Sequence, residues 1–300
     1  MMTIEAYLSK TYSPSTFKSN MYEIRRFTDY FPGKAQQATY GEILQYIEYL
    51  RKNFDLHPKT LRNSLAAVKI YFNWLLETGR RNDHPCSEII LKDRVDKRIQ
   101  VESLYSEENL ERFFETVCAS RRKHRLDNRN KVIVSLLVYQ ALTVTEIAAL
   151  TTDDVNLEKG EIHVKAQFHQ LARTLPLKGK QILLFQNYMQ HERPELLTFA
   201  QKRSTSSGGC KGEAFILGQY GEKIKSDSIS RMLNGYRSAS EKIQPVKIRQ
   251  SVIANLLANE NDTRIVQVFA GHRRASTTEA YRKSDLQTLQ EAVERYHPVK

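Results

Sequence analysis

Three side chains near the C-terminal end of the chain could together act on a phosphodiester without a metal ion. They are Arg249, His272 and Tyr281. The planar guanidinium of arginine stays charged and can hold two phosphate oxygens at once. Histidine handles protons near neutral pH, and a tyrosine oxygen can attack phosphorus when nearby cations offset its ordinary pKa of about 10. These residues therefore predict a phosphate site with a nucleophile, provided that the surrounding elements bring them together.

The segments around these residues carry a wider pattern. Residues 245–257 read PVKIRQSVIANLL, residues 266–272 read VQVFAGH, and residues 276–281 read STTEAY. They resemble the PHKLRHS…HLL, VQELLGH and STTxxY segments of the tyrosine recombinase (phage integrase) family, in its Xer-like form. Residues 142–150 resemble the family's LRVSELLAL segment. The resemblance covers most of residues 105–300.

The resemblance implies a role for four residues. Tyr281 takes the position of the nucleophile, which forms a 3′-phosphotyrosine in this family, and Arg249 takes that of the second clamp arginine. His272 takes the position of the histidine or tryptophan that contacts the phosphate. Lys165 is the best candidate for the hairpin lysine that acts as general acid. The resemblance implies no cofactor and no metal.

Two positions depart from the family pattern. Thr143 stands where the family has its first arginine, and Val246 stands where it has the histidine before the second arginine. Gln250 occupies the less telling position after that arginine. A threonine hydroxyl is one neutral donor and valine has none, and losing one preorganised donor from such a site costs about 10²–10³ in rate. Whether another cation refills the site, such as Lys247 or one of residues 121–129, stays open.

Two functions are open to such a chain. The first is a site-specific recombinase or integrase of a mobile genetic element, which binds duplex DNA and cuts and rejoins it through Tyr281. The alternative is a catalytically impaired DNA-binding accessory protein that assists another recombinase or a transposition system. The retained Tyr281, Arg249 and His272 favour the enzyme slightly, whereas Thr143 and Val246 favour the accessory protein.

The charge of the chain also indicates DNA as its partner. Its 300 residues include 46 Lys+Arg and 34 Asp+Glu, for a net charge of +12. A strongly basic protein favours a polyanion, here double-stranded DNA. The candidate DNA contacts are cations on predicted helix faces and in one dense patch: Arg25, Arg26, Lys59, Arg62, Lys69, Arg121, Arg122, Lys123, Arg125 and Lys247.

Hydrophobic periodicity predicts a mainly α protein with a small β-sheet, in two domains. Residues 1–91 are expected to form an N-terminal helical domain, with helix starts at Ser13 and Thr60, and the resemblance implies that it is the family's core-binding domain. Residues 92–104 are a polar linker, and residues 105–300 form a mainly helical domain that resembles the catalytic domain of the tyrosine recombinase fold. The resemblance implies that the two domains close around DNA as a C-shaped clamp.

Within the second domain, the pattern predicts four features. Residues 132–150 are expected to form one buried helix, and residues 161–164 and 174–177 the strands of a hairpin. Residues 201–213 have the composition of a mobile loop. Residues 284–296 are expected to form an amphipathic C-terminal helix. That helix either docks on a neighbouring protomer, giving a homo-oligomer on DNA, or packs within its own chain.

Composition argues against several classes of protein. The three cysteines are widely spaced and form no CxxC pair, which argues against a disulfide framework and a thiolate zinc site. The N-terminus lacks the basic-then-apolar pattern of a signal peptide. The longest mostly apolar run, residues 132–144, is too short and too polar to span a bilayer. We therefore expect a cytoplasmic protein with no membrane partner.

Overall fold

The computed structural model describes residues 2–93, 99, 101–120, 125–167, 170–203, 213–236 and 243–282. The chain divides into two compact units, Met1–Lys97 and Arg98–Lys300. This division falls within the predicted linker at residues 92–104. The described residues of both units are mainly helical, and those of the second unit include a small sheet. The predicted mainly α class is confirmed.

The first unit contains four described α-helices. They are α1 (Ile4–Thr11), α2 (Pro14–Tyr30), α3 (Tyr40–Phe54) and α4 (Pro58–Glu77). The Ser13 hydroxyl accepts the backbone N–H of Thr16, which confirms the predicted start of α2. The predicted start at Thr60 is wrong. The helix α4 begins at Pro58, because a proline in the first position has no N–H to leave unpaired and its fixed φ suits a helix.

Aromatic side chains form the centre of the first unit's core. Phe27 on α2 is fully buried. Its ring lies edge-on to four others, at centroid distances of 5.2 to 5.9 Å: Phe31, Tyr46, Tyr71 and Phe72. Such pairs each add about 0.5–1.5 kcal/mol beyond the burial of their area. The aromatic residues Tyr71 and Phe72 of α4 therefore belong to the core.

The second unit contains nine described α-helices, of which α6 is the central one. These helices are α5 (Glu107–Ala119), α6 (Asp127–Gln140), α7 (Val144–Ala149), α8 (Gly179–Asn187), α9 (Arg193–Arg203), α10 (Ser226–Asn234), α11 (Pro245–Ala258), α12 (Thr263–Ala270) and α13 (Ala275–Glu279). Every residue of α6 from 132 to 138 is buried. A helix that is apolar on all sides lies inside a core rather than at its surface, and α6 accordingly lies at the centre of the unit.

The predicted single helix over residues 132–150 is wrong, because the chain turns between α6 and α7. Ala141 has a left-handed conformation with φ 50°, and Thr143 begins a new helix. The Thr143 hydroxyl accepts the N–H of Glu146 at 3.2 Å, and the Glu146 carboxylate accepts the N–H of Thr143 at 2.8 Å. This reciprocal capping box stabilises a helix start and turns Glu146 into the interior.

An antiparallel sheet in the order β1-β2-β3 follows α7. Its strands are β1 (Val155–Asn156), β2 (Glu161–Val164) and β3 (Arg173–Pro176). The predicted hairpin is confirmed, although β3 begins one residue earlier than predicted. Side chains alternate along a strand, so Arg173 and Leu175 share one face. Both are buried, which places an arginine on the inner face of the sheet.

Two predicted segments fall partly or wholly outside the described residues. Most of the predicted loop at 201–213 lies there, and α9 covers its first three residues. The predicted C-terminal helix at 284–296 lies there entirely, so both interpretations of it stay predictions. None of the helices that the structure describes has the length and apolar character needed to cross a membrane.

Two leucines of α3 provide a matched test of the first unit's core. Leu50 is 1% exposed, whereas Leu44 is 40% exposed. We expect Leu50→Ala to lower the free energy of unfolding by about 2–5 kcal/mol and Leu44→Ala by less than about 1 kcal/mol, because only the first leaves a cavity. Urea unfolding followed by the fluorescence of Trp74, the sole tryptophan, reports on this core. Equal losses would contradict the packing of α3.

Candidate functional site

The helix α11 carries Arg249 into the interior of the second unit. Val246 in its first turn is 65% exposed, whereas Arg249 one turn later is buried. The Arg249 guanidinium donates hydrogen bonds to the backbone oxygen of Ala141 and, at 2.5 Å, to that of Ala270. These oxygens lie at the C-terminal ends of α6 and α12, where a cation is favoured. Arg249 thereby ties three helices together.

Glu146 is the anion of the site and faces two guanidinium groups. Its Oε1 accepts a hydrogen bond from Arg173 Nη1 at 2.6 Å, and its Oε2 lies 3.7 Å from Arg249 Nη1. Oε2 also accepts the backbone N–H and the hydroxyl of Thr143, at 2.8 and 2.9 Å. The side chain of Glu146 is fully buried. The Thr143 hydroxyl is therefore committed to Glu146 and to the start of α7.

Arg173 is a candidate residue that the sequence pattern did not predict. Its side chain is 2% exposed, and its Nε and Nη2 have no hydrogen-bond partner among the residues that the structure describes. The guanidinium lies against the backbone of Gly271, where a Cβ would stand 2.6 Å from Arg173 Nη1. Gly271 also has a φ of 69°. Glycine suits this position because it tolerates a positive φ and leaves room for the arginine.

The cluster around Glu146 holds an excess of positive charge. Arginine stays protonated at neutral pH, so Arg173 and Arg249 bring two positive charges against the one negative charge of the carboxylate. Burial lowers the pKa of Arg249; Glu146 raises it, and Arg173 lowers it. One further anion with acceptor oxygens would balance the cluster.

His272 lies beside this cluster as a neutral imidazole. Burial lowers its pKa to about 4, and the positive charges of Arg249 and Arg173 act in the same direction. Its Nδ1 is 2.9 Å from the hydroxyl of Thr278 in α13. A neutral ring has one N–H donor and one acceptor nitrogen at pH 7. His272 can therefore hydrogen-bond an anion without adding charge to the site.

Tyr281 follows α13 and packs next to His272. The two rings are nearly parallel, at 12°, with centroids 6.0 Å apart. Burial raises the pKa of Tyr281, whereas the charge of Arg249 and a hydrogen bond with Gln250 lower it. The fold thus brings Arg249, His272 and Tyr281 into one place.

The structure pairs Lys165 elsewhere. Its Nζ lies 3.0 Å from Asp154 Oδ2 and 3.0 Å from Thr151 Oγ1, and its side chain is 57% exposed. None of its described contacts is with the cluster around Glu146. The role of Lys165 as general acid stays a prediction.

Two of the cations that the sequence left open as replacements for the missing arginine make other contacts. Lys247 Nζ lies 4.2 Å from the ring centroid of Tyr105. Arg129 is buried and donates to the side chain of Asn130 and to the backbone oxygen of Leu217. The residue that does approach the cluster is Arg173, which the sequence did not offer.

The predicted DNA contacts differ in how much of each side chain is available. Three of them donate hydrogen bonds within the first unit: Arg26, Arg62 and Lys69. Three others are exposed: Arg25, Lys59 and Arg125. A further three lie outside the described residues: Arg121, Arg122 and Lys123. Their contacts with DNA stay predictions.

Two sequence signals were available for the residues that went unpredicted. Thr143 and Glu146 have the T-x-x-E spacing of a capping box, which turns the glutamate back toward the helix start. Alternation along β3 places Arg173 on the same face as the apolar Leu175. Neither signal shows that Glu146 and Arg173 meet, because they are 27 residues apart on a helix and a strand.

The sequence matches two family models. The model of the phage integrase family matches residues 104–288, and that of the phage integrase N-terminal SAM-like domain matches residues 3–79. Tyrosine recombinase XerC of Natranaerobius thermophilus is 24% identical, over 99% of this chain and 92% of the relative. Tyrosine recombinase XerA of Pyrococcus furiosus is 27% identical, over 91% of this chain and 87% of the relative.

Solved structures share the fold. The XerH site-specific recombinase bound to palindromic difH substrate, a post-cleavage complex, aligns with a TM-score of 0.68 at 19% identity, over 94% of this chain and 80% of that chain. The Tn1549 transposon integrase in complex with circular intermediate DNA aligns with a TM-score of 0.67 at 16% identity, over 98% of this chain and 100% of that chain. At these identities the likeness is one of fold.

The low pKa of His272 can be measured without DNA. We expect an NMR titration, with the ring assigned by His272→Gln, to show protonation of His272 near pH 4. Arg173→Met should raise this pKa, because it removes a neighbouring positive charge. The control Lys159→Met removes an exposed cation and should leave the pKa unchanged. If Arg173→Met also left it unchanged, Arg173 would not lie beside His272.

The same histidine makes stability depend on pH. Its pKa is about 4 in the folded chain against an ordinary value of 6.5. Between these values an unfolded chain binds a proton at His272 that the folded chain does not, so the free energy of unfolding falls as pH falls through this window. In urea titrations at constant ionic strength, His272→Gln should lose less stability between pH 6.5 and 4 than the wild type. Parallel profiles would contradict this assignment.

Proposed function

Because the chain belongs to the phage integrase family, whose model it matches over residues 104–288, we propose that it recombines duplex DNA at specific sites through a transient covalent bond to Tyr281. Family membership and the recombinase relatives support site-specific DNA recombination as the general activity. The observation that carries the proposal for Tyr281 is its place beside His272 and Arg249, at a cluster with excess positive charge.

The proposed reaction is a phosphoryl transfer in two stages. The Tyr281 oxygen attacks the phosphorus of one DNA strand as its phenol loses a proton, and the bond from phosphorus to the 5′ oxygen breaks. The leaving 5′ oxygen takes up a proton from a general acid, for which Lys165 is the predicted residue. A 5′ hydroxyl from another strand then attacks the phosphotyrosine, which rejoins the DNA and releases Tyr281.

The residues around Tyr281 suit this chemistry. Arg249 brings a buried positive charge that opposes the rise of the tyrosine's pKa on burial. His272, neutral at pH 7, can donate one N–H to a phosphate oxygen. In a site of low exposure, fixed donors stabilise developing charge more than they would in water.

Double-stranded DNA is the proposed partner. The net charge of +12 favours a polyanion, and the XerH and Tn1549 integrase structures are complexes with their substrate or DNA. Contacts with DNA phosphates release counterions, so the affinity should fall steeply as salt rises. Arg25, Lys59 and Arg125 have exposed side chains that such contacts would use.

The accessory protein is the second candidate. Its support is that the Thr143 hydroxyl is bonded to Glu146 and that Val246 is exposed and has no polar group. A site without the family's first arginine would bind DNA and turn over slowly or not at all. This candidate predicts specific DNA binding without a covalent intermediate.

A nicked suicide duplex distinguishes the two candidates. Sequencing the DNA fragments that the protein retains would supply the cognate site. We expect the wild type to form a covalent protein–DNA adduct and Tyr281→Phe to form none, because only the phenol oxygen can bond to phosphorus. Tyr220→Phe, at an exposed tyrosine of the same unit, is the matched control and should form the adduct. Specific binding by the wild type without any adduct would leave the accessory protein as the function.

A further inference from the structure

The phosphate site of the proposed reaction lacks a cationic donor at Thr143. The Thr143 hydroxyl is already bonded to Glu146 at 2.9 Å. Arg249 already donates hydrogen bonds to the backbone oxygens of Ala141 and Ala270. A phosphodiester under attack spreads negative charge over its oxygens, and fixed donors have to stabilise it. A further donor would have to come from another element of the fold.

We propose that Arg173, on β3, is a catalytic residue that binds the scissile phosphate together with Arg249. This inference rests on the proposed function, which identifies the anion as a DNA phosphate. The carboxylate of Glu146 anchors Arg173 through Nη1 at 2.6 Å. Its Nε and Nη2, which have no partner among the described residues, then donate to phosphate oxygens in the fork that arginine offers to this anion.

Several contacts place Arg173 at the proposed reaction centre. Its Nη1 and that of Arg249 approach the same carboxylate. The Arg173 guanidinium lies against the backbone of Gly271, the residue before His272. The hairpin that carries it also touches this turn, because the N–H of Leu171 donates to the Gly271 oxygen at 2.9 Å. A phosphate bound by both arginines would therefore lie near the ring of His272.

The energetics of the cluster favour a ligand over a purely structural ion pair. A buried guanidinium with unpaired N–H groups costs free energy, because its donors have left water without gaining partners. An apolar side chain on the inner face of β3 would avoid this cost. A phosphodiester brings one negative charge, which balances the excess left by Arg173 and Arg249 against Glu146. It also brings oxygen atoms that can accept hydrogen bonds from Nε and Nη2 of Arg173.

Cleavage of the suicide duplex by arginine variants tests the proposal. We expect Arg173→Met to slow adduct formation by about 10²–10³-fold. Arg173→Lys should be slowed similarly, because lysine keeps an ion pair with Glu146 but loses the fork. Arg112→Met is the matched control, since Arg112 is exposed on α5 and pairs with Glu108, and its rate should stay that of the wild type. A wild-type rate in Arg173→Lys would overturn the proposal, because an ion pair would then suffice.

A second pair of variants tests whether Arg173 supplies the cationic phosphate donor that is missing at the position of Thr143. Thr143→Arg alone should give no gain in cleavage, because the clamp is already complete. Thr143→Arg combined with Arg173→Met should recover at least tenfold over Arg173→Met, because the new guanidinium supplies the missing donors. A large gain in cleavage rate from Thr143→Arg in the wild-type chain would overturn the proposal. Such a gain would show that the phosphate site still lacks a cationic donor when Arg173 is present.

Phosphate binding separates this inference from the proposed function. At constant ionic strength, inorganic phosphate should raise the melting temperature of the wild type and of Arg112→Met more than that of Arg173→Met or Arg173→Lys. Arg173→Lys keeps the measurement usable if the methionine variant does not fold. If the wild type forms no covalent adduct with DNA, the proposed function fails. The melting temperatures in phosphate then decide whether Arg173 binds phosphate. A rise that depends on Arg173 upholds it as a phosphate ligand, and equal rises in all four proteins overturn it.

Discussion

The buried carboxylate of Glu146 is the interaction on which the site of the second unit depends. It caps α7 through Thr143, holds Arg173 of the sheet at 2.6 Å and lies 3.7 Å from Arg249 of α11. One side chain thus connects a helix start, a strand and the helix that carries Arg249. Breaking a buried ion pair by removing one partner costs about 3–5 kcal/mol, because it leaves an uncompensated charge. The position of both guanidinium groups therefore depends on this residue.

The same cluster sets the protonation state of its neighbours. Burial and the two arginines lower the pKa of His272 to about 4, which keeps the imidazole neutral at pH 7. Burial raises the pKa of Tyr281, and Arg249 opposes that rise. A site with buried excess charge is costly for a fold, and such costs are typical of functional sites rather than of structural cores. Burial and excess positive charge make the cluster costly as part of a core, and the same two features suit it to bind an anion.

Local signals predicted much of the fold and failed where the chain reverses. Ser13 predicted the start of α2, and helical spacing of apolar residues indicated α3 and α4, because periodicity and caps act over one or two turns; α1 was not predicted and the start of α4 was misplaced. The apolar run through residues 132–144 hid the turn at Ala141, since an alanine in the left-handed region leaves no trace in hydropathy. The predicted start of β3 was one residue too late, so Arg173 was not recognised as a residue of this strand. A strand's first residue is decided by its pairing partner, here Val164.

The family pattern, the mainly helical class and the positions of Arg249, His272 and Tyr281 can be read from the amino-acid sequence alone, because each rests on short segments with characteristic spacing. The sequence also shows that Thr143 lacks the charge that the family pattern has at its position. Which side chains lie near Thr143 depends instead on how the chain folds. Arg173 reaches Glu146 through the register of β3, its contact with the Gly271 turn and the packing of α11. Such a meeting depends on long-range packing of three elements, which the spacing of residues along a chain does not encode.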